Sequence, residues 1–107
     1  DYPDVKREKQ ILDLKAPGIG ERLANQVVAF VQELRKLDLY KPPGISETID
    51  WAGALHLISQ LELDQEGVDS TLGVLLKYQD DISRIRGSEV SEILRSIELG
   101  NEDIEKP

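Results

Sequence analysis

The sequence predicts an all-α fold, a small helical bundle of about five to six helices. Apolar residues recur at three- and four-residue spacing along most of the chain, which is the period of an amphipathic helix. The alternation of apolar and polar residues that marks a half-buried strand is absent. The 107 residues suit one domain, and 39% apolar with 32% charged residues is ordinary for a helical domain.

The first two helices are separated by Pro17 and Gly18. The first is expected from Pro3, which suits a first helical turn, to about residue 14. Its apolar side would be Val5, Ile11, Leu12 and Leu14. The second, over residues 21–37, has a regular apolar stripe of Leu23, Val27, Phe30 or Val31, Leu34 and Leu37. The opposite side, expected to face solvent, carries Gln26, Gln32, Glu33, Arg35 and Lys36.

The third helix follows a loop over residues 38–44, which two consecutive prolines stiffen. Ser46 lies where an N-cap belongs, with Glu47 and Asp50 in the first turn. Trp51 is expected in the core because aromatic residues dominate small cores. The predicted apolar side is Ile49, Trp51, Ala52, Leu55, Ile58 and Leu61.

Three further helices complete the prediction. Asp64 would cap a fourth helix, and a fifth covers residues 78–86 after a break near Asp80. A last amphipathic helix follows. We expect residues 1–86 to form the helical domain and residues 87–107 a C-terminal helical extension with an acidic tail.

Composition argues against several functions. Lys plus Arg number 13 and Asp plus Glu 21, and the resulting charge of 13 − 21 = −8 repels nucleic acid and anionic membranes. The absence of cysteine excludes disulfides and thiolate metal sites. The sequence has no apolar run of membrane-spanning length and no signal peptide at residues 1–10. We expect a cytoplasmic protein, and the start at Asp1 without a methionine predicts part of a longer chain.

No catalytic motif occurs in the sequence. Gly18 and Gly20 lack the following lysine and hydroxyl of a P-loop, and they are more simply a helix stop and a helix start. His56 lies between leucines in a helical pattern, where a lone histidine is usually a packing or surface residue. We therefore expect no catalytic residue and no bound metal in this chain alone.

One acidic run resembles part of a calcium loop. Glu62, Asp64, Glu66 and Gly67 match the first, third, fifth and sixth places of an EF-hand. The twelfth place is Gly73, where calcium needs a bidentate carboxylate. A helix N-cap and first turn explain the acids better.

Tyr2 and Tyr40 lie beside prolines near helix ends and are difficult to bury. Together with Pro42 and Pro43 they are candidates for a docking surface.

Residues 38–52, from the Asp-Leu-Tyr-Lys-Pro-Pro-Gly run to Trp51-Ala52, resemble the lid segment of MoxR-type AAA+ ATPases. The opening residues 2–8 resemble the family's entry into the lid, and residues 71–78 resemble its late helix. The similarity covers residues 2–86 in the family's order, and residues 87–107 have no counterpart.

The resemblance implies that the chain is the C-terminal helical lid domain of a MoxR-like AAA+ ATPase. ATP and Mg²⁺ would be bound by a core domain outside this chain, and this fragment alone would bind neither. The lid would close over ATP and couple hydrolysis to chaperone-like remodelling or metalloenzyme maturation. Its implied partners are its own core domain, neighbouring subunits of a ring (usually a hexamer) and a protein with a von Willebrand factor A domain.

The resemblance also makes Ser46, Glu47 and Thr48 the nucleotide-proximal residues. A lid usually supplies a sensor-2 arginine at the start of its third helix, and that place falls on Thr48 here. A threonine lacks the guanidinium that binds phosphate oxygens bidentately. Two interpretations stay open: this helix N-terminus meets a nucleotide, or these residues only cap the helix.

The residues alone also allow a second function, a stand-alone acidic helical protein-interaction domain. Its binding site would be the loop from Tyr40 to Gly44, although such loops are equally common as rigid connectors.

Overall fold

The computed structural model describes residues 2–105, with side chains described for residues 2–98. Six helices and no strand occur in this part of the chain, so the predicted all-α bundle is confirmed. The helices are α1 Val5–Lys15, α2 Glu21–Arg35, α3 Ile45–Leu57, α4 Gln65–Leu75, α5 Gln79–Ile85 and α6 Ser88–Glu105.

Helix α2 is the centre of the bundle and packs against α1, α3 and α6. Helix α4 packs against α3 and α6, and α5 packs against α6. The largest fully buried side chain is Trp51, whose ring centroid lies 5.3 Å from that of Phe30. The expectation that Trp51 belongs to the core is confirmed.

Helix α6 shares this core. Val90, Ile93 and Ile97 belong to the same buried cluster as the side chains of α2 and α4. The chain after residue 86 therefore packs on the bundle as far as its side chains are described. The backbone of α6 continues through Glu105, so much of the expected acidic tail is helical. Residues 106–107 of that tail lie outside the described residues.

The predicted apolar side of α1 is right for Leu12 and wrong for Val5 and Leu14. Val5 is 55% and Leu14 76% exposed, whereas Glu8 and Leu12, one helical turn apart, are fully buried. The helix begins at Val5, after the N-cap Asp4, whose carboxylate accepts a hydrogen bond from the Arg7 N–H at 2.8 Å. A charged residue occupies the interior face because Arg35 of α2 neutralises it, as described below.

Lys9 joins α1 to the start of α2. Its ammonium group donates to Asp13 within α1 at 2.8 Å and to Glu21 at 2.9 Å. The hydrogen bonds to Asp13 and Glu21 raise the pKa of Lys9 above its ordinary 10.5. The ammonium form is therefore favoured in the folded chain.

The polar side predicted for α2 is partly wrong. The helix ends at Arg35, two residues before Leu37, and two of its polar residues lie inside the protein. Gln26 is 6% exposed, and its side-chain oxygen accepts the Leu63 N–H at 2.7 Å. The Arg35 side chain is also 6% exposed. Because α2 is surrounded by other helices, these residues are buried with hydrogen-bond partners.

The N-cap of α3 is Gly44 and not Ser46. The Glu47 carboxylate accepts the Gly44 N–H at 2.9 Å, which is the acidic half of a capping box. Ser46 is therefore an exposed residue of the first turn. The Asp64 cap of α4 is confirmed, since its carboxylate accepts the Gly67 N–H at 2.7 Å.

Helix α3 ends at Leu57, earlier than its apolar pattern predicts, and Ile58 and Leu61 are exposed at 49% and 84%. Ser59 has a φ of 61°, in the left-handed region. The Gln60 N–H donates to the Leu55 carbonyl at 3.0 Å and the Ser59 N–H to the His56 carbonyl at 2.9 Å. This pair of bonds is a Schellman motif, which stops the helix without a glycine.

Candidate functional site

The loop over residues 38–44, the proline loop, is fastened to α5. The Asp81 side chain is 2% exposed, and its two oxygens accept the N–H groups of Tyr40 at 2.9 Å and Lys41 at 3.1 Å. Arg84, one turn later, donates to the Asp38 carbonyl. Because Pro42 and Pro43 restrict the backbone that follows, the loop is held in one conformation.

The outer face of the proline loop is aromatic. Tyr40 is 76% and Tyr78 53% exposed, and their rings meet edge to face with centroids 6.1 Å apart. They line a shallow cleft of about 520 Å³ with Gln79 and Asp80. Pro42 is half-buried beside Tyr40, and Pro43 is buried. Of the residues predicted for docking, Tyr40 is therefore the exposed member in this loop.

The inner face of the loop meets a buried polar cluster, defined as Glu8, Gln32, Arg35 and Thr48. Two Arg35 nitrogens donate to the two Glu8 oxygens, each at 2.7 Å, in a bidentate ion pair. The exposed fractions of the two side chains are 6% for Arg35 and 0% for Glu8. A pair this buried needs its remaining hydrogen-bonding groups satisfied.

The other members complete those bonds. Gln32 donates to Glu8 Oε1 at 2.8 Å, and Arg35 Nε donates to the Pro43 carbonyl at 2.8 Å. The Thr48 hydroxyl lies 3.0 Å from both Glu8 Oε2 and the Gly44 carbonyl, to one of which it donates. Across the described residues, every buried side-chain nitrogen or oxygen has a partner.

Tyr2 adds a contact from the start of the chain. The Arg35 guanidinium carbon lies 4.3 Å from the centroid of the Tyr2 ring, which is cation–π distance. Tyr2 remains 50% exposed. Arg35 therefore brings together two predicted docking residues, Tyr2 and Pro43, with Thr48 from the predicted nucleotide-proximal set. Tyr40 and Pro42 lie on the outer part of the same loop.

The N-terminus of α3 offers little to a phosphate group. Thr48 is fully buried and its hydroxyl is engaged within the cluster. The Glu47 carboxylate lies at the Gly44 N–H, so it brings negative charge to the helix end, 3.9 Å from the Lys77 ammonium. Ser46 is exposed beside them. These residues do not form a phosphate site by themselves, and any nucleotide here would need ligands from another chain or domain.

The residues considered above for calcium binding or catalysis are held in other contacts or lie exposed on the surface. Glu62 pairs with Arg22 at 3.4 Å on the surface, and Asp64 is the cap of α4. The described part of the chain has no group of three or more acidic or histidine side chains arranged for a metal ion. His56 is exposed on α3.

Sequence reasoning missed the three residues that organise the site, Glu8, Arg35 and Asp81. Arg35 was expected on the solvent side of α2, and the sequence analysis gave no place to Glu8 or Asp81. Glu8 and Arg35 are 27 positions apart, a separation for which helical periodicity gives no signal. Asp81 follows Asp80, and only the packing of α5 shows which of the two carboxylates is buried.

Comparisons with family models, with curated proteins and with solved structures each found no match. Among the residues described here, no helix combines the length and the apolar character needed to cross a membrane. What the structure establishes is therefore the all-α bundle and the proline loop held by Asp81 and Arg35.

Proposed function

We propose that this chain is the C-terminal lid domain of a MoxR-like AAA+ ATPase. It would close over ATP bound to a core outside this chain and couple hydrolysis to chaperone-like remodelling or metalloenzyme maturation. The observation that carries the proposal is the resemblance of residues 38–52 to the lid segment of that family. The proposal includes a cytoplasmic ring, with a hexamer expected, and a partner with a von Willebrand factor A domain.

The structure of residues 38–52 supports this proposal. They form the proline loop and the first half of α3, which together make a continuous edge. The buried side chains of Asp81 and Arg35 hold the loop part of this edge through hydrogen bonds to its backbone. A surface that must meet a nucleotide-bound core repeatedly benefits from such fixing, because preorganised groups lose less entropy on contact. The start of the chain, where the core would be joined, reaches the same edge through Tyr2.

The role we propose for this edge is closure and not phosphate binding. No arginine follows Gly44 in the first turn of α3, and Glu47 brings a negative charge there. The phosphates and Mg²⁺ would therefore be held by the core, and the lid would contribute surface that closes the site. Nucleotide state would be sensed through the fit between the two surfaces.

Two measurements test the proposal. The coding sequence upstream of Asp1 should encode a P-loop followed by an acidic Walker B strand, within about one further domain length. Calorimetric titration of the 107-residue chain with ATP and Mg²⁺ should give no measurable binding, and the same titration on the longer protein should give a saturable signal. An upstream sequence without a P-loop, or tight ATP binding by this chain alone, would contradict the proposal.

A matched pair of variants then tests the proline loop in the longer ATPase. Asp81→Asn removes the charge that accepts the N–H groups of Tyr40 and Lys41, whereas Asp80→Asn changes an exposed neighbour. We expect Asp81→Asn to lower ATP turnover and Asp80→Asn to leave it near wild type. Equal turnover in both variants would show that fixing the proline loop through Asp81 has no part in closure.

The exposed pair Tyr40 and Tyr78 favours the second candidate, an acidic protein-interaction domain. Exposed aromatic rings on a rigid loop are typical anchors of protein interfaces. If no ATPase core precedes the chain, Tyr40→Ser should weaken binding of a defined partner without lowering Tm. Leu57→Ser is the control, because Leu57 is 84% exposed on α3. Equal partner affinity in both variants would refute this candidate.

A further inference from the structure

The buried polar cluster joins two parts of the chain, which share one direct hydrogen bond, between Thr48 and Glu8, and are both contacted by Arg35. One part is the entry segment, residues 2–8, and the other is the junction of the proline loop with α3, residues 43–48. We propose that Arg35 is a positioning residue that couples them, so that the placement of the entry segment sets the geometry of the first turn of α3.

On the entry side, Arg35 has two contacts. The Tyr2 ring lies against its guanidinium at 4.3 Å, and Glu8 accepts two hydrogen bonds at 2.7 Å each. Tyr2 is outside the helices and half exposed, so the helices alone do not fix its position. Glu8 is fully buried and fixes the guanidinium plane from within α1.

On the α3 side, the same guanidinium holds the residue that precedes the helix. Arg35 Nε donates to the Pro43 carbonyl at 2.8 Å, directly before the N-cap Gly44. Thr48, in the first turn, lies 3.5 Å from an Arg35 nitrogen and 3.0 Å from Glu8 Oε2. A guanidinium is planar and its donors are fixed relative to one another. A tilt imposed by Tyr2 or Glu8 therefore moves the donor to Pro43 as well.

A purely stabilising role explains these residues less well. Replacing a buried ion pair by apolar residues of similar volume is often neutral or stabilising, so stability alone does not require charges here. The bidentate geometry instead selects one relative position of α1, α2 and the proline loop. The coupling stands on these contacts, whereas its use in sensing nucleotide state rests on the proposed function.

The test is native-state amide exchange, measured by NMR on the 107-residue chain without nucleotide. Tyr2→Ala should raise the exchange rate of the Thr48 amide about two- to fivefold, the factor that corresponds to the free energy of a partly exposed cation–π contact. The Thr48 amide is a suitable probe because it is bonded to the Gly44 carbonyl at 3.1 Å. Leu76, whose amide is bonded at the end of α4, should exchange at its wild-type rate. Tyr2→Phe keeps the ring and should behave as wild type.

Two further variants separate coupling from local damage. In an Arg35→Leu background, Tyr2→Ala should no longer change Thr48 exchange, because the connecting group is gone. Should Arg35→Leu fail to fold, Arg35→Lys supplies the test, since an ammonium group keeps the charge but lacks the planar fork of donors. In that background Tyr2→Ala should change Thr48 exchange less than it does in the wild type, and an equal change would contradict coupling through Arg35.

Unchanged Thr48 exchange in Tyr2→Ala would overturn the coupling, and so would an equal rise at Thr48 and Leu76, which indicates global loss of stability. The proposed function is tested separately, by the upstream P-loop and by ATP binding. Its failure would leave the coupling intact but without a role in nucleotide sensing.

Discussion

Removing one partner of the Glu8–Arg35 pair should destabilise the chain more than removing both. Glu8→Gln keeps the size of the side chain but leaves the Arg35 guanidinium, 6% exposed, without a counter-charge. Breaking a buried pair in this way costs about 3–5 kcal/mol. A domain of this size typically has about 5–15 kcal/mol of stability. The variant should therefore unfold about 12–40 °C below the wild type.

The double variant Glu8→Leu, Arg35→Met removes both charges and retains volume. It leaves the Pro43 carbonyl without the Arg35 Nε donor, which costs about 1–3 kcal/mol. We therefore expect the double variant to be more stable than Glu8→Gln. The fluorescence of Trp51 can follow the urea unfolding of all these variants, because Trp51 is the single tryptophan and is fully buried.

Lys36→Met is the matched control. The Lys36–Glu33 ion pair has an N–O distance of 2.7 Å, equal to that of the Arg35–Glu8 pair, but its side chains are 70% and 33% exposed. Its loss should change the free energy of unfolding by about 0–1 kcal/mol. A Glu8→Gln cost no larger than that of Lys36→Met would refute our account of the cluster. A double variant at least as unstable as Glu8→Gln would also refute it.

Three further outcomes follow from the fold. Thr71→Val deprives the buried Trp51 Nε1 of its acceptor at 2.7 Å and should cost about 1–3 kcal/mol in urea unfolding, with Thr71→Ser close to wild type. Ser59→Gly relieves a φ of 61° and should raise stability by about 0.5–1 kcal/mol, a gain that Ser59→Ala should not give. The folded-state pKa of Lys9 is raised, so its stabilising effect is present below its ordinary pKa of 10.5 and is lost as pH rises through the folded-state pKa. The stability difference between wild type and Lys9→Met should therefore be constant well below pH 10.5 and shrink as the pH rises above it, and a difference that stays constant there would contradict the raised pKa.

The helices could be predicted from sequence because each carries a periodic apolar face that must be buried. Their ends could be predicted only where the chain carries a common signal. Asp64 is such a signal and is the cap it was expected to be. The end of α3 carries none, since the left-handed position that closes its Schellman motif is a serine where glycine is usual. The apolar pattern therefore extended the helix to Leu61, which lies in solvent.

The candidate site was predicted only in part, and the reason differs from the one that applies to the helix ends. Prolines and aromatic residues beside helix ends indicate a rigid exposed loop, and Tyr40 is exposed as expected. The groups that hold the loop are charged, and the cost of burying a charge favours the surface for each of them taken singly. Only a partner removes that cost. Arg35 and Asp81 have partners that are distant in sequence or belong to the backbone, so no local pattern reveals them.

The same cost bears on the contact surface that we propose for this chain. Two buried charged groups, Arg35 and Asp81, hold the proline loop from opposite ends, at the Pro43 carbonyl and at the Tyr40 and Lys41 N–H groups. A connector between two helices needs neither, because two prolines already restrict its backbone. Fixing the loop at two further points fits a loop whose exact position matters to something outside the bundle. This is why the contact surface that we propose is the loop with the adjoining turn of α3, and not the exposed leucines at the other end of that helix.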